Sequence, residues 1–364
     1  MAAATTGPLD AAQAAQAAFA SVEGKEFPSD LFTAPQLRWA VIGCGVIANQ
    51  MAQSLALDGR KIYGVLNRTL PKAQAFAERY GVEHIYSSLN ELCQDPEVDA
   101  IYVTTPHNTH IRYLRAALAA GKHVLCEKAI TLNSEELAEA RAIADEHHVV
   151  LMDATTILHM PLYQELRRRA ASGEFGPLNL AQVNFGSYKP YGDLTNRFYN
   201  PKLAGGAMLD IGVYAITFAR QFMASQPTEV VSLANLAETG VDQTSGIVMR
   251  NKEGQIATFT LSMHSKQPKR GILSFDKCYI EVTDYPRADH AKIVWTEDGH
   301  IEEVSSGTAG YALDYEIADL ERAVAGDEEA AHLIDCASDV MDLMTGLRRE
   351  WGVTYPEEKA EGLA

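Results

Sequence analysis

The sequence has few of the residues that build disulfide frameworks or metal centres. Its 364 residues include five cysteines, an odd number with no CxxC pair, and its eleven histidines show no ligand spacing such as HExxH. Secreted disulfide scaffolds carry paired cysteines, and structural zinc sites carry closely spaced ones. We therefore expect reduced cysteines, no bound metal and a cytoplasmic location.

Basic residues are also scarce. Lysine and arginine number 31 against 48 acidic residues, which gives a formal net charge of −17. Such a chain repels phosphate backbones and anionic lipid surfaces, so we expect neither nucleic acid nor a membrane as a partner. No apolar run is expected to be long enough to span a membrane.

The N-terminal 35 residues lack the features of a secretory signal. They are rich in alanine and glutamine, contain no arginine, and have Lys25 as their first lysine. A signal needs a basic start and an apolar core, and both are missing. Residues 1–35 are therefore predicted to be a frayed extension, with an interface arm as the alternative.

The sequence does have a regular alternation of strands and helices over residues 38–152. Short apolar strands alternate with helices, such as the one over 71–80, which has proline in its first turn and Gly81 at its end. This β-α-β alternation predicts a doubly wound parallel sheet. We assign residues 36–154 to a Rossmann domain of α/β class.

After residue 154 the pattern changes to longer strands with alternating apolar residues, between residues 179 and 295. Helices are predicted over 162–171, 311–325 and 332–350. This pattern favours an α+β domain with a large, mostly antiparallel open sheet and one face covered by helices. We assign residues 155–356 to this second domain and 357–364 to a tail.

The turn after the first predicted strand carries the dinucleotide-binding pattern G-x-G-x-x-A. It consists of Gly43, Gly45, Val46, Ile47 and Ala48, and it leads into a predicted helix. The first glycine permits the tight turn, the second lets the backbone approach a pyrophosphate, and the alanine permits close helix–strand packing. The helix N-terminus would attract the diphosphate.

The end of the second predicted strand indicates which dinucleotide binds. An NAD site usually has an acidic residue there for the ribose hydroxyls, whereas this chain has Asn67 and Arg68, with Lys72 one turn later. A guanidinium is available for a 2′-phosphate, so NADP(H) is predicted over NAD(H). Alternatively, Arg68 only stacks on the adenine and both coenzymes bind.

Two further strand ends should lie beside the nicotinamide. Thr104, Thr105 and Pro106 follow the fourth strand, and His110 is interpreted as the start of the next helix rather than as a catalytic group. Glu127 and Lys128 follow the fifth strand, also at the edge where open α/β sheets bind ligands. Lys128 could hold a substrate oxygen there, although by itself the segment also fits a solvated loop.

A third segment carries Asp210 and Tyr214, which would share one face of a helix at a spacing of i and i+4. Gly205 and Gly206 precede them and permit close approach by another group. Three motifs follow one another along the chain: the dinucleotide fingerprint, Glu127-Lys128, and this segment of glycine, aspartate and tyrosine. In this order they resemble the motifs of the Gfo/Idh/MocA family of oxidoreductases. The resemblance covers about residues 37–356 and includes the stretch 196–201.

The resemblance implies a mechanism. Hydride passes between a nicotinamide and a secondary alcohol or hemiacetal carbon of a sugar, polyol or diol. Lys128, Asp210 and Tyr214 match the family's catalytic residues, and Glu127 its coenzyme loop. Tyr214 is predicted to be the acid/base, with Lys128 lowering its pKa. Asp210 would orient Lys128 or bind a second substrate hydroxyl. Whether Lys128 or Tyr214 carries the proton stays open.

With tyrosine at position 214, the chain resembles the branch of dimeric dihydrodiol dehydrogenases, NADP-dependent xylose dehydrogenases and glucose–fructose oxidoreductase. The family also implies a homo-oligomer, a dimer or tetramer, formed through the open sheet of the substrate domain. Candidate substrate contacts in that domain are Tyr188, Lys189, Tyr191, Arg197 and His264. A cyclic diol or small dicarbonyl would fit such groups about as well as a sugar.

The chain departs from the family pattern at two places. Ala129 replaces a proline, which is expected to relax the loop that holds Lys128, and residues 153–161 lack the usual Arg-Phe-His form. The alternative function is a nucleotide-binding sensor of the same fold that does no chemistry. The presence of Lys128, Asp210 and Tyr214 favours the enzyme.

Overall fold

A computed structural model describes residues 19–22, 27, 28 and 30–360 of the chain. The first half of this described part contains a six-stranded parallel sheet in the order β3-β2-β1-β4-β5-β6. The predicted doubly wound Rossmann fold is confirmed. Its strands are β1 (Trp39–Ile42), β2 (Gly64–Leu66), β3 (His84–Tyr86), β4 (Ala100–Val103), β5 (His123–Cys126) and β6 (Leu151–Asp153). Its helices are α1 (Val46–Leu57), α2 (Leu70–Tyr80), α3 (Leu89–Gln94), α4 (His110–Ala119) and α5 (Ser134–Glu146).

The second half contains an eight-stranded sheet in the order β14-β13-β12-β11-β7-β10-β9-β8. Its pairs are antiparallel except for β7 and β10, which run parallel, so the predicted mostly antiparallel sheet is confirmed. The last strand, β14, was not predicted. The strands are β7 (Leu178–Gly186), β8 (Glu229–Leu236), β9 (Asp242–Arg250), β10 (Ile256–Ser262), β11 (Gln267–Phe275), β12 (Cys278–Thr283), β13 (His290–Trp295) and β14 (Ile301–Ser305).

Helices cover one face of this second sheet. Phe218 of α7 packs directly over Gly271 of β11, where any side chain would collide with its ring. The other face exposes apolar side chains, among them Val231 and Leu233, which are 72% and 81% exposed. The helices of this half are α6 (Pro161–Ala171), α7 (Val213–Arg220), α8 (Ala312–Val324), α9 (Glu328–Ala331), α10 (Leu333–Glu350) and α11 (Pro356–Ala360).

Helix α8 packs on the Rossmann sheet although it follows the second sheet in sequence. Ile317 and Leu320 are buried in the same apolar cluster as Trp39, Val41 and Met51. The assignment of residues 36–154 to the first domain therefore leaves out one helix of its core. A contact between residues so far apart in sequence leaves no local pattern from which the boundary could have been drawn.

Described residues near both ends of the chain contribute to the packed structure. Val22 and Leu31 are buried against Tyr311 and Ala318, so the described part of the predicted 1–35 extension is not frayed. Residues 1–18 lie outside the described residues, and an interface arm there stays a prediction. Residues 357–360 of the predicted tail belong to α11, where Glu358 is buried, whereas residues 361–364 are outside the described part.

One helical stretch is long and apolar enough to cross a membrane, which the sequence analysis did not expect. It runs over Pro201–Arg220, and 83% of the apolar window lies inside the protein. A core helix of a water-soluble domain meets the same criterion, so length and composition here are weak evidence for a membrane span.

Candidate active site

The turn between β1 and α1 has the geometry that a dinucleotide needs. Gly43 has a φ of +105°, and a side chain there would collide with the hydroxyl of Thr104. Gly45 is the N-cap of α1, and among the described residues no atom beyond its chain neighbours lies within 4 Å of the place where its Cβ would stand. Ala48 is fully buried against the sheet. The open backbone at Gly45 and the helix N-terminus fit a pyrophosphate.

The end of β2 presents positive charge and no carboxylate. The Asn67 side chain turns back and donates to the Thr69 carbonyl at 2.9 Å. Arg68 and Lys72 are exposed. Neither forms an ion pair with any part of the chain that the structure describes. Both side chains are therefore available to an anionic group of the coenzyme.

His110 contacts the two loops that follow β4 and β5. Its imidazole is buried, with Nε2 at 2.7 Å from the Thr105 carbonyl and Nδ1 at 3.1 Å from the Ala129 carbonyl. Burial lowers the pKa of His110. His110 begins α4, as predicted, and its contact with the coenzyme stays a prediction. The loop was expected to relax at Ala129. Ala129 is fully buried, and its carbonyl lies against His110 Nδ1.

Lys128 follows the carboxyl end of β5, and Asp210 lies in the segment before α7. The fold brings these two residues together. The Lys128 ammonium donates to the Asp210 backbone carbonyl at 2.6 Å and to its Oδ1 at 3.3 Å. The two side chains are only 15% and 13% exposed. Burial lowers the pKa of Lys128, but Asp210 and Tyr214 outweigh it and the net shift is upward. Burial raises the pKa of Asp210, but Lys128 and Arg197 outweigh it and the net shift is downward.

Asp210 lies in a π-helical turn, Met208–Gly212, that runs directly into α7. The sequence analysis placed Asp210 and Tyr214 on an ordinary α-helix at i and i+4. The wider turn changes their relative rotation, and π-turns are common at functional sites. Both residues nonetheless reach Lys128, whose ammonium lies 4.9 Å from the centre of the Tyr214 ring.

The predicted lowering of the Tyr214 pKa needs correction. Burial raises that pKa, Lys128 opposes the rise, and the net shift is upward from 10.0. Tyr214 is therefore a neutral phenol at physiological pH. Sequence spacing could place the ammonium beside the ring, but it could not weigh that attraction against the loss of solvent.

Behind Lys128 lies a group of acids of which the sequence analysis identified only Glu127. Glu127 accepts a hydrogen bond from the Tyr102 hydroxyl, and its contact with the coenzyme stays a prediction. Burial raises the pKa of Glu127, and burial with the nearby Glu127 raises that of Glu316 in α8 to about 8. His159 bonds Asp319 of α8 at 2.8 Å.

Two of the candidate substrate contacts, Arg197 and Lys189, lie near the Lys128–Asp210 pair. Arg197 Nη2 lies 3.4 Å from Asp210 Oδ1, with its side chain 62% exposed, and Lys189 contributes to the low pKa of Asp210. Tyr188 and His264 are exposed, and the His264 ring meets Tyr191 edge-on at 5.2 Å. No hydrogen bond or ion pair within the described residues joins Tyr188 or His264 to Lys128, Asp210 or Tyr214.

His107 is a site residue that the sequence analysis missed. Its ring lies 5.8 Å from that of His110, and its Nδ1 is buried without a hydrogen-bond partner among the described residues. Burial, with His110 and Lys128, lowers the pKa of His107 to about 3, so the ring is neutral. The sequence signal for His107 was a second histidine in the segment 104–110. The sequence analysis had considered only Thr104, Thr105, Pro106 and His110 in that segment.

Comparison with known proteins identifies both domains. Residues 37–155 match the model of the Gfo/Idh/MocA oxidoreductase family with an NAD-binding Rossmann fold, and residues 163–283 match the Gfo/Idh/MocA C-terminal domain. A trans-1,2-dihydrobenzene-1,2-diol dehydrogenase from Mus musculus is 33% identical over 247 residues, which cover 66% of this chain and 73% of the relative. The Sus scrofa enzyme of the same name is 28% identical over 337 residues, covering 89% of this chain and 99% of the relative.

Solved structures share the fold over most of the chain. A 3-ketoreductase from Actinomadura kijaniata, solved with NADP and TDP-benzene, superposes with a TM-score of 0.75 at 24% identity. The match covers 86% of this chain and 98% of that one. At this identity the likeness establishes the two-domain architecture alone.

Proposed function

The chain belongs to the Gfo/Idh/MocA family of NAD(P)-dependent oxidoreductases, and on that premise we propose that it is an NADP(H)-preferring dehydrogenase of a sugar, polyol or diol. The observation that carries the proposal is the largely buried contact of the Lys128 ammonium with Asp210 and with the face of the Tyr214 ring. It offers one fixed ammonium and one neutral phenol at the edge of the sheet where the coenzyme turn also lies.

Lys128 and Tyr214 would act on the oxygen of the reacting carbon. When bound, the nicotinamide supplies or accepts the hydride. The Lys128 ammonium holds the oxygen and stabilises negative charge as it develops there, with Asp210 fixing the direction of the Nζ group. A preorganised donor of this kind is worth roughly 10²–10³-fold in turnover.

The protonation states favour carbonyl reduction at neutral pH. The pKa values of Lys128 and Tyr214 are both raised, so both groups carry their protons and either can give one to the oxygen as the carbon gains hydride. Oxidation of the alcohol needs one of them deprotonated. We therefore expect the oxidative reaction to accelerate toward alkaline pH and the reductive one to slow there.

Exposed charge at the end of β2 supports the preference for NADP(H), and the neighbour solved with NADP is consistent with it. Arg68→Gln should weaken NADP⁺ binding by about tenfold or more, because a charge-assisted bond to phosphate contributes about 1.5–3 kcal/mol. NAD⁺ binding should change little. Arg79→Gln, at an exposed arginine near the other end of α2, the helix that follows Arg68, is the matched control, with fluorescence titration as the measurement. Equal losses for both coenzymes would favour adenine stacking instead.

The substrate test is coenzyme reduction or oxidation with a panel of aldoses, inositols, vicinal diols and their ketones. The name of the relatives supports a diol, and that of the structural neighbour, a 3-ketoreductase, supports a ketone. Turnover that is lost in Lys128→Met would support the proposal. Tight NADPH binding with no turnover on any class would favour the sensor function.

The exposed face of the eight-stranded sheet supports a homo-oligomer. Its apolar side chains, Leu233 above all, form a surface that monomeric proteins rarely leave in water. Leu233→Asp should therefore shift the mass measured by light scattering toward the monomer. Absence of metal and a cytoplasmic location stay predictions.

A further inference from the structure

The last described helix, α11, contacts loops that carry the site. Glu357 Oε1 accepts a hydrogen bond at 2.7 Å from Asn108, in the loop after β4. Glu358 Oε1 accepts one at 3.2 Å from Asn133, in the loop that begins with Lys128. The C-terminal segment thus contacts the loops that follow β4 and β5 in the Rossmann domain.

A buried ion pair fixes α11 to α10 and to the Lys128 loop. Arg348 is fully buried and bonds Glu358 at 2.8 and 3.2 Å, and its Nη2 donates to the Leu132 carbonyl at 2.5 Å. Burial raises the pKa of Glu358, but the bonds to Arg348 outweigh it, and the net shift is downward. Because either charge left alone would be strongly unfavourable in the interior, this pair holds its geometry tightly.

The same segment holds the turn that precedes Asp210. Tyr355, fully buried under the Arg348 guanidinium at 4.8 Å, donates its hydroxyl to the Gly205 carbonyl at 2.7 Å. Asp242, which lies on the same side of Gly206 as the Tyr355 hydroxyl, accepts the Met208 N–H with its Oδ2 at 2.6 Å. Gly206, with φ +129°, lies against Asp242 so closely that any side chain would collide with the carboxylate.

These contacts join the two loops whose meeting forms the site. Lys128 lies four residues before Leu132, and Asp210 lies five residues after Gly205. One loop belongs to the Rossmann domain and the other to the substrate domain. The Lys128 ammonium meets the Asp210 backbone carbonyl at 2.6 Å and the Asp210 carboxylate at 3.3 Å, so a small displacement of either loop would separate them.

We propose that Arg348, Tyr355 and Glu358, here called the C-terminal brace, are positioning residues that set the distance between Lys128 and Asp210. Asp242, next to Tyr355 at Gly206, adds a bond to the Met208 N–H at the end of the glycine turn. The brace touches neither substrate nor coenzyme and acts through the two loops. Its catalytic consequence rests on the proposed function, whereas its effect on the glycine turn does not.

The test is Tyr355→Phe, which removes one hydroxyl and keeps the ring. Tyr163→Phe is the matched control, because Tyr163 is equally buried and donates at 2.6 Å to the Tyr285 carbonyl, outside the brace. Both variants should lower the melting temperature by similar amounts. Only Tyr355→Phe should speed amide hydrogen exchange over residues 206–211.

Activity and its pH dependence give the second readout. Tyr355→Phe should lower kcat by roughly tenfold at an unchanged Kd for NADPH, since misplacement of a catalytic group costs turnover. Asp210 raises the pKa of Lys128, so a loosened contact should also move the alkaline limb of the reductive kcat to lower pH. Tyr163→Phe should leave both unchanged.

Exchange over residues 206–211 that rises equally in both variants, or in neither, would overturn the brace, whether or not a substrate is known. Faster exchange in Tyr355→Phe alone, with kcat and its pH limb as in the wild type, would overturn the catalytic role. Absence of turnover in the wild type itself would count against the proposed function and leave the exchange result to decide the brace.

Discussion

Two groups of buried charge lie on either side of the Lys128 loop, and they respond to burial in opposite ways. On the substrate side, Asp210 keeps a pKa well below its usual range despite burial, because Lys128 and Arg197 lie beside it. On the α8 side, burial and the nearby Glu127 raise the pKa of Glu316 to about 8. Burial favours the neutral acid in both places, so the charge of the neighbours decides the outcome.

The difference separates reactive groups from structural ones. The ammonium on the substrate side persists and can stabilise charge on a bound oxygen. On the α8 side, Glu316 has a pKa of about 8 and is mostly protonated near neutral pH, and Asp153 of β6, whose pKa burial raises to about 7, is about half protonated. They can pack beneath the site without adding a second strong field to it.

The largest effect is expected from removal of the ammonium. Lys128→Met should lower turnover by about 10³-fold, because it removes both the oxygen donor and one proton source. Binding of NADPH, measured by fluorescence, should stay within a fewfold of the wild type. Lys122→Met, at a buried lysine that bonds only backbone carbonyls, controls for loss of a buried ammonium. Similar turnover losses in the two variants would contradict a specific role for the Lys128 ammonium in the reaction.

A smaller loss is expected when the counter-charge is removed. Asp210→Asn keeps the shape and the backbone contact but withdraws the attraction that outweighs burial at Lys128. The pKa of Lys128 should then fall, and the alkaline limb of the reductive kcat should move to lower pH, with turnover at neutral pH down by roughly 10–100-fold. A pH–rate profile identical in shape to the wild type would contradict this role for Asp210.

The smallest effect on turnover is expected on the α8 side. Glu316→Gln mimics the protonated acid, so turnover near pH 7 should stay within about twofold of the wild type. The stability should differ with pH instead. Since the folded-state pKa of about 8 exceeds the unfolded one, Glu316 favours folding at low pH, and this contribution is lost as pH rises through 8.

The measurement is urea unfolding of Glu316→Gln and wild type at pH 5 and pH 9. The variant should gain stability relative to the wild type at pH 9, by on the order of a few kcal/mol for a shift of several pKa units. Glu329→Gln, an exposed acid on α9, controls for loss of surface charge. A variant whose relative stability is the same at both pH values would mean that Glu316 is ionised in the fold.

Local sequence determined the larger architecture and part of the site. The strand–turn–helix spacing around Gly43 and Gly45, the alternation over 38–152 and the longer strands beyond 179 all follow from the period at which apolar residues recur. The placement of Lys128 at a strand end follows from the same reasoning, because parallel strands bring their carboxyl ends to one edge. These inferences need only residues that are close in sequence.

Tertiary structure alone decided what those residues can do. Burial made Tyr214 a weaker acid and Glu316 a neutral one, and helix α8 crossed to the Rossmann sheet. The contacts of Tyr355 and Glu358 with the site loops join residues 150 and 225 positions apart. Solvent exclusion and long-range contacts depend on the assembled fold, so no periodicity in the chain records them.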